Sequence, residues 1–291
     1  MKYQYILLLC ICILFTIVFI YNINKTYEKF QDIYELPKII WTHWNTDTMP
    51  DFIQANLDSW KTKMKPLGWT VNILHDSTIK NYIDAASIPK GLSSLRGPEA
   101  KADWLRLKLL SMNGGVWMDA GMIINDPNTL EAMYDKSYIM KSEFTGFKIG
   151  NLTTRDDFPV IENYFMMAPK GSDVIRLWLK EFESAIEMGF KVHKKALKKE
   201  GVDTQGIYVK HDDFYLTQHA CMQAVLQKRI NRKPTLILTK AEESVFELQT
   251  SCGWNTDCLH KKLKETPKSY QPGLVKLRGS DRKGLTDYSP C

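Results

Sequence analysis

Residues 98–121 read PEAKADWLRLKLLSMNGGVWMDAG, and this stretch decides the fold. Pro98 suits the first turn of a helix, where its missing N–H leaves no bond unmade. Glu99 places a negative charge near the positive end of the helix dipole. Ala102, Leu105, Leu109 and Met112 recur at spacings of three and four and predict one apolar helix face. Gly114 and Gly115 end that helix, since glycine tolerates the left-handed backbone a C-terminus requires. Val116, Trp117 and Met118 form a short run of β character, and Asp119 follows at once. Asp103 and Arg106 interrupt the apolar unit three positions apart, on one side of the helix. Two readings are open. One is a surface ion pair with an aspartate capping a turn. The other is a ligand site, because the carboxyl ends of buried strands are where open α/β sheets bind ligands.

Strand and helix alternate outward from this unit. Ile39, Ile40 and Trp41 predict a buried first strand, residues 50–60 a helix with Phe52, Ile53, Leu57 and Trp60 inward, and residues 69–74 a second strand. Asp76 and Ser77 read as the start of another helix, and residues 87–97 as a turn-rich loop. Tyr138, Ile139 and Met140 read as a further strand, while residues 141–158 are polar without a period. A helix over 172–188 presents Val174, Ile175, Trp178 and Phe182. The alternation predicts an α/β fold with a mostly parallel central sheet and flanking helices.

The residues Ala102, Asp103, Arg106, Leu110, Gly114, Gly115, Val116, Trp117 and Asp119 resemble, in type and spacing, the donor-site signature of DXD-type glycosyltransferases. That group includes the capsular polysaccharide synthesis proteins and the glycosyltransferase 32 family. The opening Pro37-Lys38-Ile39-Ile40-Trp41 with Trp44, the run Glu162–Gly171, the segment 211–219 and the terminal Lys276-Leu277 are similar to further family motifs. The resemblance implies a GT-A-like nucleotide-sugar transferase domain that retains anomeric configuration. Its donor would be UDP- or GDP-linked and its acceptor a glycan, polysaccharide or glycoprotein. It also implies a divalent cation, Mn²⁺ or Mg²⁺, on Asp119, with Asp103 holding ribose or sugar hydroxyls and Arg106 binding the donor sugar or pairing with Asp103. Trp41, and less so Trp44, would stack on the base, the alternative being core tryptophans. Asn163 would contact donor or acceptor, the alternative being a turn asparagine bonded to backbone. A basic residue in 275–278 would reach the diphosphate. His219 falls near the family's histidine position, and Asp213 reads as a helix cap. No residue identifies itself as nucleophile or general base. In one respect the chain departs from the pattern: the acidic triplet is Asp119-Ala120-Gly121, with glycine at the second acid position. The rival reading is therefore a catalytically degenerate transferase that binds carbohydrate or scaffolds a partner.

The 291 residues are 44% hydrophobic and 25% charged, enough for one sizeable core. Residues 6–20 are apolar apart from Thr16 and are flanked by Tyr3, Tyr5 and Tyr21, as interfacial aromatics flank a membrane span. No small-x-small cleavage pattern follows, so 1–23 reads as an uncleaved signal anchor, 24–36 as a short stem and 37–291 as the transferase domain. This predicts a single-pass type II membrane protein with a luminal or extracytoplasmic domain. Cys221, Cys252, Cys258 and Cys291 lie late in the chain, with Cys252 and Cys258 a plausible pair and free thiols the alternative. Asn24 and Asn151 begin glycosylation acceptor triplets. The net charge of +6 is modest and the lysines are dispersed, apart from His193-Lys194-Lys195 and Lys198-Lys199, which read as a solvated helix face. Nucleic acid is not an expected partner.

Overall fold

The computed structural model describes residues 34–95, 97–210, 214–285 and 288–290, together with Thr16. The strands are β1 (Ile39–His43), β2 (Thr70–Leu74), β3 (Gly115–Met118), β4 (Met122–Ile124), β5 (Phe144–Lys148), β6 (Ile161–Ala168), β7 (Leu236–Lys240) and β8 (Leu274–Lys276). The principal helices are α1 (Asp51–Met64), α2 (Gly97–Asn113), α3 (Pro127–Ile139), α4 (Asp173–Met188), α5 (Phe190–Lys199), α6 (Thr217–Ala224) and α7 (Thr256–Glu265). They belong to a compact unit spanning Leu36–Cys291.

Six strands form one sheet in the order β2-β1-β3-β6-β5-β7. β1 is parallel to both β2 and β3, and β5 is parallel to β7. β6 is antiparallel to both its neighbours. Five of the six strands therefore share a direction, so the mixed α/β fold has a mostly parallel central sheet. β-Branched and aromatic residues supply β1 and β3, and both strands are buried, as central strands covered by helices must be. The register sets Trp41 opposite Trp117. A second, two-stranded sheet pairs β4 with β8 in antiparallel sense, Met122 opposite Lys276. That small ladder carries the end of the chain back to the end of β3.

α2 packs against β1, β3, β6 and α4. Trp104, Leu105, Leu107, Leu109 and Leu110 are all buried, whereas Met112 is 41% exposed. The one-sided apolar face expected from Ala102, Leu105, Leu109 and Met112 is thus replaced by burial on several sides, because α4 covers what the sheet does not. α4 follows its sequence pattern. The Ser172 hydroxyl caps it by accepting from the Ile175 N–H, and Val174, Ile175, Trp178 and Phe182 are buried. Burying each such large apolar side chain contributes about 2–3 kcal/mol.

Several local expectations are corrected. Tyr138 and Ile139 end α3 rather than form a strand, because Asp126 caps the helix and Pro127 opens it. The strand lies in the supposedly featureless stretch that follows, at Phe144–Lys148, where Phe144 is fully buried against Trp178. Asp76 and Ser77 lead only into a single turn, Ile79–Asn81. In α5, His193 is buried and its Nε2 lies 2.8 Å from Glu181 Oε1, so that basic run is not wholly solvated. Cys252 and Cys258 form a disulfide, and Cys221 is a free, buried thiol. Among the described residues no helix is long and apolar enough to cross a membrane. Apart from Thr16, the anchor expected at 1–23 lies outside the described residues, as do the Asn24 triplet, most of the stem and Asp213.

Candidate functional site

The site is built where β3 ends. The Asp119 N–H still donates to Tyr164 of β6 at 2.9 Å, and the Met122 N–H donates back to the Asp119 carbonyl at 2.8 Å, closing a tight turn into β4. The Leu277 N–H donates to the Gly121 carbonyl at 2.9 Å, so the residues just after β8 are fastened to that turn. Residues two apart on a strand share a face, which sets Trp117 beside Asp119. Trp117 Nε1 donates to Asp119 Oδ1 at 3.0 Å, and Arg106 Nη2 donates to the same oxygen at 3.3 Å. Lys276 Nζ donates to Oδ2 at 2.8 Å.

Helix α2 presents the other pair. Arg106 Nη1 lies 2.8 Å from Asp103 Oδ1, with the arginine side chain only 5% exposed. Its guanidinium carbon sits 5.4 Å from the centre of the Trp117 ring. The surface ion-pair reading of Asp103 and Arg106 therefore does not hold. Asn163, on β6, donates to Asp103 Oδ1 at 3.1 Å and to Gln218 Oε1 at 2.7 Å. Gln218, on α6, donates from Nε2 to the Asp103 carbonyl at 2.6 Å and accepts from Arg106 at 3.3 Å. Asp103, Arg106, Asp119 and Asn163 are thus gathered from α2, β3 and β6 into one hydrogen-bonded cluster. Burial pushes the Asp103 carboxyl up to about 6, against the pull of Arg106. Burial also opposes ionisation of Asp119, but Lys276 and Arg106 outweigh it and hold that carboxyl below the usual range. One carboxylate is held ionised and the other is poised to accept a proton.

The cluster faces an open cavity of about 240 Å³, also lined by His43, Trp44, Gly121, Tyr215, His219 and Arg282. Trp41 is not brought to it. Its indole is 4% exposed, donates to the Gly114 carbonyl at 3.0 Å and packs edge-on against Tyr82. Trp44, one residue beyond β1, lines the cavity instead. His43 Nε2 lies 2.8 Å from Asp76 Oδ1, and burial lowers its basicity. His219 is buried, with Nε2 3.5 Å from Glu162 Oε2. Gln218 and Arg282 carried no site role in the sequence. Gln218 lies within the quoted segment 211–219, but nothing local marks it as the residue joining Asp103, Arg106 and Asn163. Arg282 lies 163 positions from Asp119, beyond the reach of any spacing pattern.

The donor set around Asp119 offers a divalent cation no unengaged protein oxygen. Such ions want oxygen ligands, of which Mg²⁺ takes one or two from carboxylates and the rest from water and substrate phosphate. Asp119 brings two oxygens, and each already accepts a bond from a cationic side chain. Gly121 supplies no carboxylate, and the described residues hold no group of three or more His, Cys, Asp or Glu that could hold a metal.

A model of the family described as capsular polysaccharide synthesis protein matches residues 18–186. This chain belongs to that family. Asp103, Arg106, Asp119 and Asn163 lie inside the matched region, whereas Gln218, Lys276 and Arg282 lie beyond it. Among curated relatives, this family member is 28% identical over 160 residues to the O-glycosyltransferase braB of Annulohypoxylon truncatum, covering 50% of this chain and 37% of the relative. It is 26% identical over 153 residues to the O-glycosyltransferase PaGT of Phomopsis amygdali, covering 48% and 37%. The matches thus span well under half the length of those relatives. Similar solved structures include two glycosyltransferases. One is a PaToxG glycosyltransferase, at 16% identity and a TM-score of 0.35 over 74% of this chain and 88% of the other. The second is a glycosyltransferase involved in glycosylation of the major capsid of PBCV-1, at 10% identity and a TM-score of 0.44 over 85% and 98%. Likeness at that level carries no argument about activity.

Proposed function

We propose that this chain is a glycosyltransferase that moves a sugar from a UDP- or GDP-linked donor to a hydroxyl of a glycan, polysaccharide or glycoprotein, retaining anomeric configuration. The observation that carries the reading is the cluster of Asp103, Arg106, Asp119 and Asn163 in one cavity beside the carboxyl ends of the parallel strands β1 and β3. The named glycosyltransferases among its relatives support it.

In the reaction the bond from the anomeric carbon to the diphosphate oxygen breaks, and its electron pair leaves with that oxygen. The acceptor oxygen bonds to the anomeric carbon, and its proton goes to the released diphosphate. In this reading the ionised Asp119 stabilises positive charge developing on the sugar, and Asp103 and Asn163 offer hydrogen bonds to sugar or ribose hydroxyls. Arg106 holds both carboxylates in place, which fixes the donor-binding geometry before the donor arrives. Trp44 offers a face for the base.

In the same reading residues 1–23 anchor the chain in a membrane and the domain lies on the luminal or extracytoplasmic side. The Cys252–Cys258 disulfide supports an oxidising compartment. The test is a panel of UDP- and GDP-sugars offered to the full chain in detergent, scored for release of nucleotide with and without acceptor glycans. Turnover of one donor, lost in Asp103→Asn, is the expected result. A folded protein that neither turns over nor binds any donor overturns the proposal and leaves the scaffolding alternative.

A further inference from the structure

The glycine at the second acid position sits where a backbone carbonyl and a cation both come close. A Cβ built on Gly121 would lie 2.5 Å from Arg282 Nη1 and 2.7 Å from the Leu277 carbonyl oxygen. Real side chains do not approach that closely, so an aspartate at 121 would displace the flexible tip of Arg282 and press on the Leu277 backbone, which is itself bonded to Gly121. Arg282 is held there by its own chain, with Nη1 donating to the Leu277 carbonyl at 3.2 Å. Among the described residues no carboxylate lies within ion-pair distance of it. The neighbouring Asp281 is fully buried and committed to Arg278, at 2.6 Å from Nη2. Arg282 is partly buried and lines the cavity beside Lys276 and Asp119. Burial disfavours the charge on Arg282, and Asp119 and Asp281 favour it without reaching ion-pair contact, so an anion in the cavity would find a guanidinium with no contact carboxylate among the described residues. Planar guanidinium groups match phosphate oxygens with two parallel donors.

Resting on the transferase reading, we propose that Arg282 binds the donor diphosphate and, with Lys276, supplies the positive charge that a divalent cation would otherwise provide, so that donor binding needs no metal. The leaving diphosphate carries the electron pair of the broken bond. Arg282 hydrogen-bonds the growing negative charge, while Lys276 holds Asp119 and faces the same cavity. Both cations come from the C-terminal segment joined to the turn after Asp119 by the β4–β8 ladder.

The experiment measures binding of UDP, GDP and inorganic pyrophosphate to the full chain in detergent by calorimetry, in EDTA and in Mn²⁺. The expected result is binding of at least one probe in EDTA, with affinity within about threefold of that in Mn²⁺. Arg282→Gln is expected to weaken it about tenfold or more, with Arg282→Lys in between and both variants melting close to the parent. Binding that appears only in Mn²⁺ overturns this inference and leaves the transferase reading standing. Binding equally tight in a folded Arg282→Gln protein also overturns it. No binding of any probe in either condition overturns both. Where Arg282→Gln fails to fold, Arg282→Lys tests the arginine, with unchanged affinity overturning its role, and the parent protein in EDTA tests the need for metal.

Discussion

Lys276 sets its ammonium 2.8 Å from Asp119 Oδ2, across 157 positions of sequence. With Arg106 on Oδ1, this leaves Asp119 ionised between two cations. Breaking such an arrangement from one side strands charge. Asp119→Asn is expected to cost about 3 kcal/mol, at the low end for a buried pair because Asp119 keeps some solvent access. Lys276→Met in the same protein should recover part of that loss. Urea unfolding of the two single variants and the double variant checks it, and additive losses would show that the two residues are not coupled.

Asp103 makes stability depend on pH in an unusual direction. Burial raises its folded value to about 6 from 3.8, so the native state holds the proton more tightly than the unfolded state. Its contribution is therefore fully present below about pH 4 and is lost as pH rises to about 6. The lowered value of Asp119 acts oppositely, contributing stability that is lost as pH falls. Asp103→Asn removes only the first dependence. Relative to the parent, that variant should gain up to about 3 kcal/mol between pH 4 and pH 7. Unfolding curves at the two pH values measure the difference, and a gap that does not change with pH would contradict it.

The two tryptophans near the end of β1 separate packing from binding. Trp41 is buried and spends its N–H on Gly114, whereas Trp44 lines the cavity. Trp41→Phe should lower stability by about 1–2 kcal/mol and leave nucleotide affinity alone. Trp44→Ala should do the reverse, with about a tenfold loss in UDP or GDP affinity, as removal of a base-stacking aromatic gives. Titration calorimetry paired with thermal melting distinguishes them.

Away from the site, Glu181 on α4 ties together His193 at 2.8 Å and Arg229 at 2.7 Å. Burial opposes its ionisation, but the bonds from His193 and Arg229 hold its carboxyl below the usual range. Glu181→Gln should cost about 2–3 kcal/mol and leave donor binding at low temperature intact. A drop in donor affinity without a drop in melting temperature would show the network reaches the cavity.

Much of the frame was legible because it is local. The run from Gly97 to Met118 carries its own helix, glycine turn and buried strand, and Gly114 and Gly115 take the left-handed φ values of 68° and 97° that the turn requires. The spacing of Asp103 and Arg106 likewise foretold their pairing, though not its burial. Other features could not be read locally. Phe144–Lys148 looks irregular until Trp178 and β6 are beside it, and Tyr138–Ile139 looks like a strand until Asp126 and Pro127 start the helix that contains it.

The sequence by itself determined an alternating α/β frame with Asp119 at the end of a buried strand, because periodicity and glycine punctuation act over a few residues. Only the tertiary structure decided what surrounds that aspartate. Gln218 and Arg282 arrive through α6 and the segment after β8, 99 and 163 positions beyond Asp119, and the pairing of Lys276 with Asp119 spans 157, so contacts of that range leave no local pattern in the chain. The glycine at 121 reads as a missing acid in the sequence. In the folded chain it is a space bounded by the Leu277 carbonyl and the tip of Arg282.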